Sequence, residues 1–201
     1  FPECFPIKIS RKDSFYKKYN QTCMEFMRSL PGLRRDCKYG YREQMNAITA
    51  YVDASNVYGS DEERAKKLRE HKGGRLQYDN DPNLGLMMPP DPADPACAGE
   101  SAPCFLGGDK RANEQPNLAV IHTIWMRQHN LIARGLEKIN PQWDDERLYQ
   151  EARRIVGAQM QHITYNEFLP VVLGRGFSKK NKLLPKKGGY AETYDKKVDA
   201  S

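Results

Sequence analysis

Two long amphipathic segments constrain what this chain of 201 residues can fold into. Apolar side chains recur at intervals of three and four residues from about 114 to 138, and again from about 144 to 168. That spacing gives each segment one apolar face at the helical period. Asn140-Pro141 separates the segments, because proline interrupts a helix, and Asp144 is a candidate N-cap for the second segment. The chain is therefore predicted to be mainly α, with two long helices packed through their apolar faces.

The remaining segments are shorter and richer in turn residues. Ser60 and Glu63 have the spacing of a capping box, which predicts a helix over about 61–71. A short helix is expected near 22–29, and Leu169-Pro170 is expected to end the second long helix. Residues 73–110 carry most of the Pro, Gly, Asp and Asn. They predict a long loop region, and little or no sheet is expected.

Charge and hydropathy exclude two classes of partner. The net charge is +6, but the basic residues are scattered, and the densest run (179–197) lies among Gly, Pro and Asn. We expect a solvated basic loop there and no nucleic-acid binding, because no recognition motif accompanies it. The mean hydropathy is −0.80 and the apolar runs are short. No membrane span is therefore expected.

The five cysteines favour an oxidising compartment. They are not spaced as Cys-x-x-Cys, so neither a zinc ribbon nor a thioredoxin-like motif is indicated. Cys97 and Cys104 flank a short turn-rich loop that a disulfide could close. Asn20-Gln21-Thr22 is an N-glycosylation sequon. Together these features predict a secreted, extracellular protein in which the odd cysteine lacks an internal partner.

The histidines are interpreted as structural. His122 and His129 lie two turns apart on the first long segment, about 10.5 Å along a helix axis, which is too far for joint ligation of one metal. We expect both to be core residues with hydrogen-bond partners. His71 is expected in the last turn of its helix, where a cation complements the helix dipole.

Two polar clusters could carry chemistry or serve only as local structure. Thr49, Tyr51, Asp53 and Ser55 alternate, so an extended loop would direct them to one side. Their oxygens suit Ca²⁺, although such residues also occur in ordinary turns. The second cluster, residues 108–116, stands before the first long helix. Arg111 and Glu114 there could also be only a charge pair and a helix-dipole partner.

Longer motifs resemble the animal haem peroxidases. They are Gly108-Asp109-Lys110-Arg111-Ala112-Asn113-Glu114-Gln115-Pro116, His122-Thr123, Arg127-Gln128-His129-Asn130, Tyr149-Gln150-Glu151-Ala152-Arg153 and Val52-Asp53-Ala54-Ser55-Asn56-Val57-Tyr58-Gly59-Ser60. The resemblance extends from Cys4 to Ser201 and is closest in character to the extracellular branch of peroxidasin, peroxinectin and chorion peroxidase. It implies the animal haem-peroxidase fold.

The resemblance also implies roles for individual residues. Arg111 corresponds to the distal arginine, which polarises bound peroxide. Glu114 corresponds to the glutamate that forms an ester with haem b. Gln115 stands where some members join a methionine to haem, so no such link is expected. Thr49, Tyr51, Asp53 and Ser55 correspond to the family's Ca²⁺ loop, with Tyr51 acting through its backbone carbonyl.

Other family features match no residue of this sequence. The acid–base distal histidine and the iron-ligating proximal histidine correspond to none of the four histidines. The resemblance therefore implies that residues 1–201 form an internal fragment of one peroxidase domain, inactive alone. It also implies that Cys4 and Cys23 bond to cysteines further upstream, while Cys37 could instead pair with Cys23.

The function implied for the parent protein is an extracellular haem peroxidase. It would use hydrogen peroxide to oxidise a small reductant such as a halide, a phenol or a tyrosyl group. The alternative is a non-catalytic extracellular matrix or adhesion module that retains the peroxidase fold. Joint retention of Arg111 and Glu114 favours the enzyme, because packing alone would tolerate many other residues at these positions.

Overall fold

The computed structural model describes residues 4–34, 37–38, 40–94, 97, 104–185 and 188. The chain divides into two compact units, Phe1–Ala47 and Ile48–Ser201. The second unit contains both long helices and every candidate site residue named above. The prediction of a mainly α chain is confirmed, since strands occur only as short antiparallel pairs.

The first unit consists of short hairpins around one 3₁₀ turn. Strand β1 (Ile7–Lys8) pairs with β2 (Cys23–Met24), and β3 (Pro31–Gly32) pairs with β4 (Glu43–Gln44). The helix expected near 22–29 is therefore wrong, because pairing with β1 holds that segment extended. Cys4, Cys23 and Cys37 are exposed and unbonded, so the suggested Cys23–Cys37 disulfide is not formed.

The second unit begins with short elements and continues into helices. Its elements are α1 (Ser55–Tyr58), α2 (Glu62–Lys67), β5 (Asp79–Asp81), β6 (Gly85–Met87), β7 (Pro90–Asp91), β8 (Cys104–Phe105), α3 (Pro116–Ile139), α4 (Asp145–Ile163), α5 (Leu169–Leu173) and α6 (Arg175–Lys180). Strands β5 and β6 form one hairpin, and β7 pairs with β8. Helices α3 and α4 make the most extensive packing contact between elements.

The two long helices confirm the periodicity argument. Helix α3 begins at Pro116, two residues later than predicted. Its N-cap is Gln115, whose side-chain oxygen accepts a hydrogen bond from the backbone N–H of Asn117 at 3.0 Å. Asp144 caps α4 as expected, accepting from the N–H of Arg147 at 2.8 Å. These caps satisfy backbone donors that have no partner inside a helix.

The second long helix does not stop before Pro170. It passes through a π-helical turn, Thr164–Phe168, and α5 then starts at Leu169. Pro170 lies in the first turn of α5, where a missing N–H costs nothing. The expected stop at Leu169-Pro170 is therefore wrong. Lys179 and Lys180 lie in α6 rather than in a loop, and most of the basic run beyond 185 lies outside the described residues.

Helix α2 differs from its prediction at both ends. Asp61, not Ser60, is the cap, accepting from the N–H of Arg64 at 2.7 Å. The helix ends at Lys67 because the chain turns back there, and Arg69 forms a β-bridge with Leu76. His71 therefore follows the helix, although its Nε2 still lies 3.2 Å from the Lys66 carbonyl oxygen.

The core of the second unit centres on α1, α3 and α4. Its fully buried side chains include Tyr58, His129, Asn130, Leu148, Tyr149 and Val156. Asn130 on α3 bonds both backbone groups of Leu76, at 2.8 and 3.0 Å, and so ties the loop after α2 to the helix. The predicted disulfide between Cys97 and Cys104 is present, with a Cα–Cα distance of 5.5 Å.

Candidate active site and calcium loop

A 3₁₀ turn, Lys110–Asn113, places two charged residues at the start of α3. Asp109 caps this turn by accepting from the backbone N–H of Arg111 at 2.8 Å. The N–H of Glu114 donates to the Arg111 carbonyl at 3.0 Å, so the turn closes three residues later. In a 3₁₀ turn, residues three apart lie on the same side. Arg111 and Glu114 therefore share one face.

The Arg111 guanidinium forms a forked ion pair with Asp109. Its Nε and Nη2 donate to the two carboxylate oxygens at 2.9 and 2.7 Å. The Arg111 side chain is 60% exposed, whereas the Asp109 side chain is 10% exposed. The hydrogen bonds from Arg111 are the main cause that lowers the pKa of Asp109, and the same pair raises the pKa of Arg111. Both groups are therefore charged at neutral pH.

Glu114 contributes a second carboxylate to this face. Its side chain is exposed and hydrogen bonds to none of the described residues. Its charge adds to the rise in the pKa of Arg111, which places the two groups within electrostatic reach. An exposed carboxylate that is not already paired is free to bond a ligand.

The loop behind the turn is fixed by close backbone contact. A Cβ on Gly108 would lie 2.5 Å from the carbonyl carbon of Val57 in α1, so only glycine fits. Asn113 at the end of the turn bonds both backbone groups of Phe105 in β8, each at 2.9 Å. The turn is therefore held from α1 on one side and from β8 on the other.

An apolar surface continues from the turn along α3. A concave cavity of about 550 Å³ starts at Gln115 and Pro116 and runs past Val120 and Ile124. Val120 and Ile124 are 55% and 50% exposed. This size lies in the range of small-molecule sites, which are mainly apolar with a few polar groups.

The residues near this surface have the chemistry that a haem needs. A flat macrocycle needs an apolar wall, which Val120 and Ile124 begin to form, and the expected ester needs a free carboxylate, which Glu114 offers. The cationic Arg111 lies on the same face of the turn as Glu114, where it can attract an oxyanion or peroxide. The cavity itself is lined by neither of these two charged residues, although Asn113 and Gln115, on either side of Glu114, both line it.

The loop 49–55 brings three oxygen donors together. Thr49 Oγ1 lies 2.9 Å from an Asp53 carboxylate oxygen and 3.1 Å from Ser55 Oγ. The N–H of Ser55 donates to the same Asp53 oxygen at 3.0 Å. Tyr51 is 66% exposed. The donor set consists of hard oxygens and so fits Ca²⁺.

Other metal sites receive no support from the described part of the chain. No three His, Cys, Asp or Glu side chains there are close enough to hold a metal ion. A calcium ion at 49–55 would therefore rely on Asp53 as its carboxylate, with hydroxyl and backbone oxygens as further ligands.

His129 is buried and neutral, as expected for a core histidine. Its Nε2 lies 2.8 Å from the Gly74 carbonyl oxygen, which can only accept, so Nε2 carries the proton. Nδ1 therefore accepts from the Tyr58 hydroxyl, also at 2.8 Å. Burial lowers the pKa of His129 to about 4. The hydrogen bond to Gly74 opposes this shift, and the positive charge of Arg69 adds to it.

His122 is also a core residue. Its Nδ1 donates to the Leu118 carbonyl at 2.8 Å, and its buried Nε2 has no partner among the described residues. That nitrogen is on the wall of a cavity of about 20 Å³ beside Gly107 and Gly108, which has room for one water. The structural interpretation of both helix histidines is confirmed.

Two polar residues with important contacts, Asp109 and Arg69, were not predicted from the sequence. Asp109 was not singled out, although its place two residues before Arg111 is the signal for a local cap and ion pair. Arg69 was missed entirely. It binds Asp145 at 2.8 Å and Glu146, and its guanidinium lies 4.0 Å from the Tyr149 ring. Seventy-six residues separate Arg69 from Asp145, so no local spacing could reveal that contact.

Comparisons with known proteins identify a family and similar structures. The family model for the animal haem peroxidase matches residues 1–201. Over 171 residues, 85% of this chain, the sequence is 44% identical to chorion peroxidase of Aedes aegypti. Over 207 residues, covering 98% of the chain, it is 42% identical to human myeloperoxidase. Peroxidase A from Dictyostelium discoideum has a similar structure, with a TM-score of 0.66, 30% identity and 85% of this chain covered.

The chain covers only part of each of these proteins. It spans 22% of the chorion peroxidase, 27% of human myeloperoxidase and 36% of the Dictyostelium structure. Within the described residues, no helix is both long enough and apolar enough to cross a membrane.

Proposed function

The chain belongs to the animal haem peroxidase family, and we propose that it supplies one wall of the active site of an oxidoreductase that reduces hydrogen peroxide. The observation that carries this proposal is the position of Arg111 and Glu114 on one face of the 3₁₀ turn before α3. Each turnover would convert one hydrogen peroxide to two waters when two phenols or tyrosyl groups each give up one hydrogen atom. With a halide, it would give one water and one hypohalous acid, which keeps the second peroxide oxygen.

Arg111 would act on the peroxide as a fixed positive charge. Heterolytic cleavage of the O–O bond places negative charge on one oxygen, and a guanidinium beside that oxygen stabilises the charge. Haem, when bound, supplies the iron that exchanges electrons with peroxide. The histidines of this chain are not assigned to the proton transfer or the iron ligation, because the family resemblance matches none of the four to either role, and His122 and His129 are buried in the core.

Glu114 would fix the haem against the start of α3 through an ester. Support comes from its exposed carboxylate, which is unpaired among the described residues and directly precedes Gln115, where the apolar cavity begins. Peptide mapping of the haem-loaded, full-length protein tests this directly. A proteolytic peptide that contains residue 114 should carry haem in the wild type and should not carry it in Glu114→Gln, whereas a haem-free Glu114 peptide from the wild type would contradict the ester.

The role of Arg111 is tested in the haem-loaded, full-length protein. Arg111→Ala should slow the reaction with hydrogen peroxide about a hundredfold, the usual cost of losing one such stabilising donor. Arg134→Ala is the matched control, because Arg134 is an exposed arginine of α3 that lies outside the turn. Equal rates for wild type and Arg111→Ala would refute the role of Arg111, whereas a wild-type protein that does not react with hydrogen peroxide would favour the non-catalytic matrix module.

We further propose that loop 49–55 binds Ca²⁺. Calcium in a hundredfold excess over its Kd should raise the free energy of unfolding by about 2.7 kcal/mol. Thermal unfolding with calcium and with a chelator measures this gain. Asp53→Asn should abolish it, and Asp79→Asn, at an exposed carboxylate, should retain it. A full gain in Asp53→Asn would place any calcium elsewhere.

We propose an extracellular location. The Cys97–Cys104 disulfide supports it, because such bonds persist in oxidising compartments. Asn20 of the glycosylation sequon is exposed, which makes it available for modification. A shift in apparent mass after glycosidase treatment of the secreted protein would test this.

A further inference from the structure

The contact between Asp109 and Arg111 differs from an ordinary surface ion pair. Surface pairs contribute little, since two mobile side chains must be ordered in water. Here the geometry is forked, at 2.9 and 2.7 Å, and the carboxylate end is nearly buried. Forked arginine–carboxylate pairs fix the plane of the guanidinium as well as its distance.

The carboxylate itself is held in place by its surroundings. One Asp109 oxygen also accepts the Arg111 backbone N–H at 2.8 Å, so the side chain is committed to the turn. The preceding Gly108 is pressed against the backbone of Val57, and a Cβ on Gly107 would lie 2.8 Å from the Ala112 side chain. Asp109 is therefore a fixed anchor for a flexible residue.

Among the described residues, Arg111 has no second anchor comparable to Asp109. Its side chain is 60% exposed, and the long arginine side chain has many rotamers to choose from. Glu114 acts on Arg111 through charge alone, and an ester at Glu114 would remove that charge. Asp109 would then be the carboxylate that continues to hold the guanidinium.

We infer that Asp109 is a positioning residue for Arg111, fixing the guanidinium plane so that its free N–H groups face the peroxide. This inference rests on the proposed role of Arg111. A guanidinium has five N–H donors, and the two bonded to Asp109 leave three available. Asp109 engages the Nε–Nη2 edge, so the free donors lie on the Nη1 side.

A purely structural role must be separated from this one. Asp109 also caps the 3₁₀ turn, and asparagine caps a turn about as well as aspartate. Asp109→Asn therefore retains the cap and removes the charge that grips Arg111. Asp144→Asn, at the cap of α4, makes the same chemical change away from the turn and is the matched control.

The experiment uses the haem-loaded, full-length protein and measures the rate constant for reaction with hydrogen peroxide, together with the melting temperature. Asp109→Asn should lower the rate constant at least about tenfold, as expected for a misplaced catalytic group. Its melting temperature should stay near that of the wild type. Asp144→Asn should change neither quantity.

A double-mutant cycle decides between the roles even if Asp109→Asn loses stability. Arg111→Lys cannot form the fork, so adding Asp109→Asn to it should cause no further loss of rate. If the double mutant lost the product of the two separate losses in rate constant, Asp109 would act independently of Arg111, and the inference would be overturned. The inference would also be overturned if Asp109→Asn kept the wild-type rate constant while Arg111→Lys was slow. A wild-type rate in Arg111→Lys would instead remove the proposed role of Arg111.

Discussion

Lowering the pH from 7 to 5 should destabilise the protein by about 2 kcal/mol through His129 alone. An unfolded histidine has a pKa of about 6.5, whereas burial lowers the pKa of His129 to about 4. Between these values the unfolded state binds a proton that the folded state does not, so stability falls as the pH falls. The full difference of about 2.5 units corresponds to about 3 kcal/mol, most of which is lost above pH 4.

Urea unfolding at several pH values measures this effect by comparing variants. His129→Gln keeps polar atoms for Tyr58 and Gly74 but cannot titrate, so its stability should depend less steeply on pH between 7 and 5. His162→Gln changes an exposed ring and should keep the steep dependence, because His129 remains. Equal slopes in wild type and His129→Gln would refute the argument that His129 is buried neutral.

Two further changes test the supports of the Arg111 turn. Gly108→Ala should lower the free energy of unfolding, measured with a chemical denaturant, by about 1–3 kcal/mol, since its Cβ would overlap the Val57 backbone. The control Gly135→Ala, at an open position of α3, should instead raise that free energy by up to about 1 kcal/mol. Replacing Cys97 and Cys104 by serine should lower the free energy of unfolding by about 2–3 kcal/mol, because the short loop is no longer closed in the unfolded chain; an unchanged value would mean that the loop needs no closure.

Local sequence signals predicted the two long helices and one disulfide well. The apolar spacing located α3 and α4, Asp144 was recognised as a cap, and a turn-rich loop between Cys97 and Cys104 indicated their disulfide. Each of these depends on residues close together in the chain. That is why composition and spacing were sufficient for them.

The errors arose where distant contacts decide local structure. The prediction of a helix near 22–29 fails because pairing with Ile7–Lys8 makes part of that segment a strand. Pro170 was expected to stop a helix, but the π turn before it lets a new helix start there. The candidate site shows the same limit. The motif resemblance was sufficient to select Arg111 and Glu114, whereas the burial of the Asp109 carboxylate depends on how the turn packs and could not be predicted.

The contact of Gly108 with α1 also limits how related sequences can vary in length. Backbone meets backbone there with no side chain between, so no rotamer change can absorb a displacement of either segment. An inserted residue between 49 and 57 would push α1 into the loop that carries Arg111, unless the loop from 104 to 109 changed as well. Insertions and deletions in related proteins should therefore avoid both segments or occur in both together.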